Sequence, residues 1–288
     1  MGKIYRIDCE SSKKIGLKKG DRVVSLVSQG GNSRFLSVDP SSLVKIQEKI
    51  DPAEAACLVE TYLTAFQTLH YNQSFLTRYR KTSLQGKTIL IIGGMSANMT
   101  RAMSQLAHLA GSKAIFATSR KKDFKFLSEN GILPLSTDPL AWWEQLAGAL
   151  DLLISLDEEV IPLHYKLLKQ DGVVVVSSSE FHEDLMMYED TRDPLKRKLA
   201  CSTARSQTAA RTAHYDLFEE WESSPMKAKK DLAHLVELLE KRKIIPHVVD
   251  RVPLSKVAEI QDTLEKRRAQ GHYVCEPWLV SKSRAVSL

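Results

Sequence analysis

The sequence lacks the patterns that mark membrane-spanning or secreted proteins. None of its 288 residues lies in an apolar run approaching the roughly 18 residues that a membrane-spanning helix needs. The first residues, MGKIYRIDCESSKK, contain neither the apolar core of a secretory signal nor the arginine-rich pattern of a transit peptide. We therefore expect no membrane span and a cytoplasmic location.

Cysteine is scarce and scattered. The four cysteines are Cys9, Cys57, Cys201 and Cys275, and no two form a C-x-x-C pair. This spacing predicts neither a disulfide framework nor a thiolate zinc site. A reducing, cytosol-like compartment is the corresponding expectation.

Charge of one sign is not concentrated in any single segment. The net charge is +6, with basic clusters such as KKGDR, SRKKDFK and EKRRAQ dispersed along the chain. No recognisable nucleic-acid module accompanies them, so we interpret them as solvated faces and expect no nucleic-acid partner.

Glycine is sparse where a nucleotide-binding turn needs it. The stretch TILIIGGMSANMTRAMSQLAHLAG, residues 88–111, has the outline of a strand, a turn and an amphipathic helix. After Gly93 and Gly94, however, no glycine occurs until Gly111. The stretch is therefore a cofactor loop, a degenerate one, or a simple strand–helix junction.

Strands and helices alternate through the middle of the chain. Apolar runs predict strands at 88–92, 113–119, 149–156 and 173–179, and helices lie between them, two of them ending at Gly131 and Gly172. This alternation predicts a parallel, doubly wound sheet, and runs such as ILII and VVVV predict strands covered on both faces. The polar stretch after Ser179 is expected to be a surface excursion.

The two ends of the chain have a different character. Runs at 21–27 and 34–38 predict short strands in a compact β unit. Residues 51–71 predict a helix with Asp51 as N-cap, Pro52 at the first position and Glu54 at the third. Residues 224–244 predict a long amphipathic helix, and residues 245–280 a strand, a helix and a strand.

Five segments in this order resemble the medium-chain dehydrogenase/reductase superfamily, nearest to its zinc-independent quinone-oxidoreductase and enoyl-reductase branch. They are GLKKGDRVVSLV; DPAEAACLVETYLTAFQTL; SQLAHLAGSKAIFATS; LDLLISL with LLKQDGVVVV; and IIPHVVDRVPLSKVAEIQDTLEKRRAQGHYVCEP. The resemblance runs from Gly16 to Pro277. It implies an α/β fold with a Rossmann sheet and a reduced GroES-like β-rich domain built from both chain ends. The implied divisions are a partial GroES-like domain at 1–60, a Rossmann domain at 61–245 and a C-terminal return at 246–288.

The chain also departs from this family. The family normally has a longer N-terminal segment that holds most of the GroES-like domain, and the catalytic-zinc ligands come largely from that part. We therefore expect no metal, and a zinc alcohol dehydrogenase is not expected. The resemblance further suggests a homodimer formed through the last Rossmann strands, including the region after Val176.

The resemblance places a pyrophosphate at the turn after the first Rossmann strand. A G-x-x-G-x-x-G pattern falls on Gly94, Ala97 and Thr100 in one register, or on Gly93, Ser96 and Met99 in the other, and neither supplies three glycines. The small residues allow close approach, and Asn98 tolerates a left-handed backbone. Thr100 or Met99 stands where the helix should pack tightly. The candidate loop residues are Gly93, Gly94, Ser96, Ala97 and Asn98.

The end of the second Rossmann strand carries Ser119, Arg120 and Lys121 instead of a carboxylate. A carboxylate there would bind a ribose 2′-hydroxyl, whereas a guanidinium suits a 2′-phosphate. NADP(H) is therefore favoured over NAD(H). The alternative is a solvated basic helix start.

The resemblance places the nicotinamide beside Ser155 and Leu156 and beside Ser177 and Ser178. Tyr62 is a candidate proton donor, with a helix-packing tyrosine as the alternative.

The leading hypothesis is an NADP(H)-dependent reductase that transfers hydride to a quinone, enone or enoyl-type small molecule. The competing hypothesis is a non-catalytic binding or scaffold protein with a degraded cofactor site.

Overall fold

The computed structural model describes residues 1–71, 83–93, 96–156, 160, 162–177, 212–266 and 271–279. The chain divides into two compact units. The first comprises Met1–Leu63, Ser96–Ala102 and Trp221–Leu288, and the second comprises Thr64–Met95 and Met103–Glu220. The domain boundaries expected at residues 60 and 245 stay a prediction. No helix in the described ranges is long and apolar enough to cross a membrane.

The strands in chain order are β1 (Gly2–Lys3), β2 (Arg22–Val24), β3 (Val44–Lys45), β4 (Thr88–Ile92), β5 (Ala114–Ser119), β6 (Leu133–Ser136), β7 (Leu150–Ser155), β8 (Leu168–Ser177), β9 (Thr212–Tyr215), β10 (Val248–Pro253) and β11 (His272–Glu276). The α-helices are α1 (Cys9–Ile15), α2 (Pro52–Cys57), α3 (Leu63–Leu69), α4 (Ala97–Leu109), α5 (Phe124–Glu129), α6 (Trp143–Leu146), α7 (Pro162–Lys166), α8 (Leu217–Ser223), α9 (Pro225–Glu240) and α10 (Val257–Lys266).

The second unit is built on a six-stranded parallel sheet in the order β6-β5-β4-β7-β8-β9. Renumbered from its first strand, this order is the 3-2-1-4-5-6 arrangement of a Rossmann sheet. All five residues of β4 are buried, as expected for a strand covered on both faces. The expected doubly wound parallel sheet is confirmed, and β6 and β9 are two strands that the sequence analysis did not predict.

The first unit contains an antiparallel sheet, β1-β2-β3, and a parallel pair, β10-β11. The buried guanidinium of Arg22 on β2 donates to the backbone carbonyls of Gln47 (3.3 Å), Glu48 (2.5 Å) and Ile50 (2.8 Å). These bonds satisfy an otherwise costly buried charge and hold the turn before α2 against the sheet. A β-rich part drawn from both chain ends is therefore confirmed.

The strand predicted at residues 34–38 is wrong. These residues have no strand structure, and β2 pairs instead with Val44 and Lys45. Phe35 and Leu36 are 66% and 45% exposed, so their apolar character does not reflect a buried strand. A short β-rich run cannot identify its own partner strand, because pairing depends on residues distant in the chain.

The helix predicted to end at Gly172 is also wrong at its C-terminus. Helix α7 ends at Lys166, and Gly172 lies within strand β8. A Cβ at this position would lie 2.8 Å from the carbonyl oxygen of Leu150 on β7. Gly172 therefore permits a close approach of two strands, whereas Gly131 has the expected left-handed φ of 72° after α5.

The helix predicted over residues 51–71 is confirmed, with one interruption. The carboxylate of Asp51 accepts from the N–H groups of Ala53 (2.8 Å) and Glu54 (3.1 Å), which caps α2. A π-helical turn at Leu58–Tyr62 separates α2 from α3.

The long amphipathic helix is confirmed as α9. The surface excursion expected after Ser179 lies outside the described residues.

Candidate functional site

The carboxyl ends of three neighbouring strands meet at one edge of the parallel sheet. In register, Ile92 of β4 pairs with Ser155 of β7, and Ser155 pairs with Val176 of β8. The N–H of Leu156 donates to the carbonyl of Ile92 at 2.9 Å and extends this pairing past the strand ends. Between β4 and β7 the strand order reverses, and crevices at such reversal points are where doubly wound sheets bind ligands.

Gly93 makes the turn that follows β4. Its φ is +102°, a conformation that strongly favours glycine, and its N–H donates to Thr118 Oγ1 at 3.3 Å. Gly93 thus has the positive φ that a phosphate-binding turn requires of its glycines. Gly94 lies outside the described residues.

The first turn of α4 is capped by Ser96. Its Oγ accepts from the N–H of Met99 (3.2 Å), and its carbonyl accepts from both the N–H and the Oγ1 of Thr100 (2.9 Å each). Met99 and Thr100 are 3% and 1% exposed. Met99 and Thr100, which occupy the third glycine position in the two registers, are therefore buried side chains of α4. The Thr100 hydroxyl is satisfied by the carbonyl of Ser96, one helical turn earlier.

Asn98 carries an unsatisfied polar group in the same turn. Its Oδ1 is buried and has no hydrogen-bond partner in the part of the chain that the structure describes. A buried acceptor without a donor is costly, so this atom is suited to a ligand or water that donates to it. The adjacent Ala97 is partly exposed.

Arg120 lies directly beyond β5 and is an accessible candidate cation. Its side chain is 54% exposed, and its Nε lies 3.7 Å from Asp123 Oδ2. Its terminal Nη groups have no partner in the described ranges, and Lys121 beside it is also exposed. Ser119, the last residue of β5, is partly buried. This arrangement offers a planar guanidinium to an anion.

Asp123, three residues after Arg120, forms an ion pair with it. The i,i+3 spacing of opposite charges in SRKKD was a signal for this contact. This 3.7 Å ion pair is too long for a hydrogen bond and involves Nε, not the terminal Nη groups.

The residues expected beside a nicotinamide are buried. Ser155 and Ser177 have no exposed surface, and Leu156 is 2% exposed. Ser178 lies outside the described residues. Ser155 and Ser177 end adjacent strands as expected, but their hydroxyls do not face solvent.

Tyr62 lies at the end of the π-helical turn and is 1% exposed. Burial raises the pKa of its phenol, with a further increase from the nearby Cys57. A fully enclosed side chain favours the packing alternative, and its role as a proton donor stays a prediction.

The pieces of the candidate site therefore fall into two groups. Gly93, Ser119, Arg120 and the strand ends at Ser155 and Ser177 lie in the second unit. Ser96, Ala97 and Asn98 are grouped with the first unit. The second-unit group includes the exposed guanidinium of Arg120, which suits an anion, and the first-unit group includes the N-terminal turn of α4.

No family model matches this sequence. The chain is similar to a quinone oxidoreductase-like protein 2 homolog from Nematostella vectensis, with 33% identity over 122 residues. That alignment includes 42% of this chain and 31% of the relative. The chain thus matches about a third of the length of this curated relative.

Solved structures show the same fold over most of the chain. A probable oxidoreductase from Mycobacterium abscessus has a TM-score of 0.66 and 19% identity, covering 96% of this chain and 78% of its own. The enoyl reductase CurK has a TM-score of 0.67 and 21% identity, covering 96% and 76%. A mycobacterial protein complexed with NADPH has a TM-score of 0.67 and 17% identity, covering 96% and 80%.

The strand order and these neighbours confirm the fold expected from the sequence. The name of the curated relative and those of the structural neighbours agree with the branch to which the sequence was compared. The chain has the α/β fold of medium-chain dehydrogenases and reductases and resembles their zinc-independent quinone-oxidoreductase and enoyl-reductase branch.

Proposed function

We propose that the protein is an NADP(H)-dependent, zinc-independent oxidoreductase that reduces a quinone, an enone or an enoyl-type substrate. The observation that carries the proposal is Arg120, a half-exposed guanidinium placed directly after β5 of a Rossmann sheet. An arginine at this position accommodates a 2′-phosphate, whereas NAD-specific sites place a carboxylate there. The NADPH complex of one structural neighbour supports the same cofactor class.

The residues present fit this cofactor in two respects. Gly93 has the positive φ of a phosphate-binding turn. Asn98 Oδ1 is a buried acceptor to which a hydroxyl of the cofactor, but not its pyrophosphate, could donate. Ser119, Arg120 and Lys121 would hold the 2′-phosphate. The turn residues Gly93 and Gly94, with Ser96, Ala97 and Asn98, would receive the pyrophosphate through backbone N–H groups.

The bound cofactor would supply the hydride, and the protein would position the acceptor and exclude water. Ser155, Leu156, Ser177 and Ser178 are the residues proposed to border the nicotinamide. Because the first three are buried, their backbone groups at the strand ends are the more accessible contacts. Tyr62 is the only side chain proposed as a proton donor.

A non-catalytic binding or scaffold protein is the second candidate. It is favoured by Thr100 and Met99, which occupy the glycine positions of both registers, and by the burial of the two strand-end serines. A homodimer and a cytoplasmic location stay predictions from the family resemblance and the scattered cysteines.

Cofactor binding is tested by thermal shift with NADPH and NADH. We expect NADPH to raise the melting temperature and NADH to raise it less at equal concentration. Arg120→Ala should weaken NADPH binding by about 10- to 100-fold and change NADH binding little, because charge-assisted hydrogen bonds to phosphate contribute roughly 1.5–3 kcal/mol. Lys125→Ala is the matched control, since the Lys125 side chain is 89% exposed and, among the described residues, pairs only with Glu129 at 3.8 Å.

No stabilisation by millimolar NADPH would overturn the proposal. Stabilisation by NADPH without its oxidation in the presence of a benzoquinone, an enone and an enoyl thioester would support the scaffold alternative. Equal effects of Arg120→Ala and Lys125→Ala would remove Arg120 from the site while leaving cofactor binding itself intact.

A further inference from the structure

Three aromatic side chains form an exposed cluster on the first unit. The ring centroids of Tyr5 and Phe35 lie 5.6 Å apart at an interplanar angle of 61°, and those of Phe35 and Trp278 lie 5.6 Å apart at 81°. The three residues are 70%, 66% and 62% exposed. Leu36 and Leu279 beside them are 45% and 42% exposed, and these five residues are called the aromatic patch.

The backbone holds these side chains outward. Ile4, which follows β1, is buried and its N–H donates to Asp21 O at 2.9 Å, whereas the next residue, Tyr5, is exposed. Arg34 Nε donates to Pro277 O at 3.4 Å and links the Phe35 loop to the segment that carries Trp278. The patch thus combines three segments distant in sequence, and exposed aromatics arranged in this way mark an interaction surface.

Cations accompany the rings. Lys19 Nζ lies 5.5 Å from the Tyr5 ring centroid, and the Arg34 guanidinium lies 4.9 Å from that of Trp278. Neither forms an ion pair with a carboxylate in the described ranges. Asp21 nearby in sequence is already paired with Lys45 at 2.9 Å. The patch is therefore apolar at its centre and positively charged at its rim.

The geometry points to an anionic phospholipid surface as the partner of the aromatic patch. Aromatic rings and leucines partition into the headgroup region, where lysine and arginine attract anionic lipids. A second copy of this chain is disfavoured, because pairing two such patches brings their unpaired cations together. Single-stranded nucleic acid is disfavoured because Lys19 and Arg34 already lie over ring faces that bases would stack on.

The test is flotation of the 288-residue chain with vesicles of phosphatidylcholine alone or mixed with phosphatidylserine. We expect binding to the mixed vesicles, loss of binding at high salt, and a blue shift in Trp278 fluorescence that Trp278→Phe removes. The charge variant Lys19→Glu with Arg34→Glu should bind about 30-fold more weakly or worse, because each basic residue near the surface contributes roughly fivefold in affinity. Its control is Lys113→Glu with Lys243→Glu, two exposed lysines outside the patch that change the net charge equally.

The apolar contribution is tested separately by Phe35→Ser with Trp278→Ser. We expect at least about tenfold weaker vesicle binding, whereas Leu140→Ser, at a 73% exposed leucine in the second unit, should bind normally. Thermal melting establishes that each variant is folded, and the patch positions are exposed enough to tolerate serine.

Four results would overturn the proposal. They are equal binding to neutral and anionic vesicles, equal loss in the patch and control charge variants, self-association that Phe35→Ser abolishes, and binding of a single-stranded oligonucleotide in preference to vesicles.

Discussion

Asp151 is a nearly buried carboxylate that joins the amino ends of three strands. It accepts from Lys87 Nζ (2.9 Å), from the N–H of Thr88 on β4 (2.9 Å) and from Lys169 Nζ on β8 (2.7 Å). Burial alone raises the pKa of this carboxyl, but the hydrogen bonds from Lys169, Thr88 and Lys87 outweigh burial and lower its pKa below the ordinary aspartate value. The folded state therefore favours the ionised form.

This pKa difference predicts a pH dependence of stability. Because the folded pKa lies below the unfolded one, the contribution of Asp151 is fully present above about pH 4 and is lost as the pH falls through the folded pKa. Asp151→Asn should lower the free energy of unfolding by about 1–3 kcal/mol at neutral pH. In urea unfolding, the difference from the unsubstituted chain should shrink below about pH 4.

The control for this prediction is Glu129→Gln, because the side chain of Glu129 is 61% exposed and forms only a distant ion pair. It should change the free energy of unfolding little at any pH. A difference between Asp151→Asn and the unsubstituted chain that stays constant down to strongly acidic pH would contradict the assigned role.

Some residues of the candidate site could be predicted from the sequence, and others could not. The sequence predicted that Arg120 follows a strand, because the apolar run of β5 ends immediately before it. The burial of Ser155 and Ser177 was not readable, because the residues that cover a strand end come from other segments. The unsatisfied Oδ1 of Asn98 likewise depends on its surroundings in space.

Among the elements, α2 depends on its N-terminal cap. Asp51 caps two N–H groups and also forms an ion pair with Arg251, which in turn pairs with Glu276 at 2.6 Å. The capping bonds are local, whereas the Asp51–Arg251 pair joins residues 200 positions apart. Two substitutions can separate these contributions.

Asp51→Ala should lower the free energy of unfolding by about 1–2 kcal/mol, since it removes both the cap and the ion pair. Asp51→Asn keeps a capping oxygen and loses only the charge, and partly exposed ion pairs contribute about 0–1 kcal/mol. Thermal unfolding of both variants should place the asparagine variant close to the unsubstituted chain. Equal destabilisation would show that the ion pair, and not the cap, is the larger contribution.

The two incorrect element predictions have one cause. The run at 34–38 and the segment around Gly172 were assigned from local composition, yet β2 pairs with Val44 and Lys45, and Gly172 is required by Leu150 of a neighbouring strand. Strand pairing joins residues that are far apart in sequence. The N-cap at Asp51, the left-handed Gly131 after α5 and the periodicity of α9 involve neighbours within about four residues and were predicted correctly.

For the whole molecule, the C-terminal strand is expected to be essential to the first unit. Strand β11 pairs with β10, and Pro277 accepts from Arg34, a residue 243 positions earlier. A chain truncated before Gly271 would leave the edge of β10 unpaired and remove Glu276, one of the two carboxylate partners of Arg251. We expect a lower melting temperature and faster proteolysis within residues 1–63.

The control is a chain that ends at Leu279, which keeps β11 and the contact at Pro277. It should melt close to the full-length chain. If both truncations melt like the full-length chain, β11 makes no substantial contribution to the stability of the first unit.

The sequence by itself determined the α/β class, the parallel sheet, the helix cap at Asp51, the turn at Gly93 and the cation after β5. Each of these depends on the periodicity, backbone preference or charge of a few neighbouring residues. Only the tertiary structure decided the partner of β2, the role of Gly172, the burial of the strand-end serines and the assembly of Tyr5, Phe35 and Trp278 into one patch. These features depend on contacts between segments distant in the chain, and local sequence carries little information about such contacts.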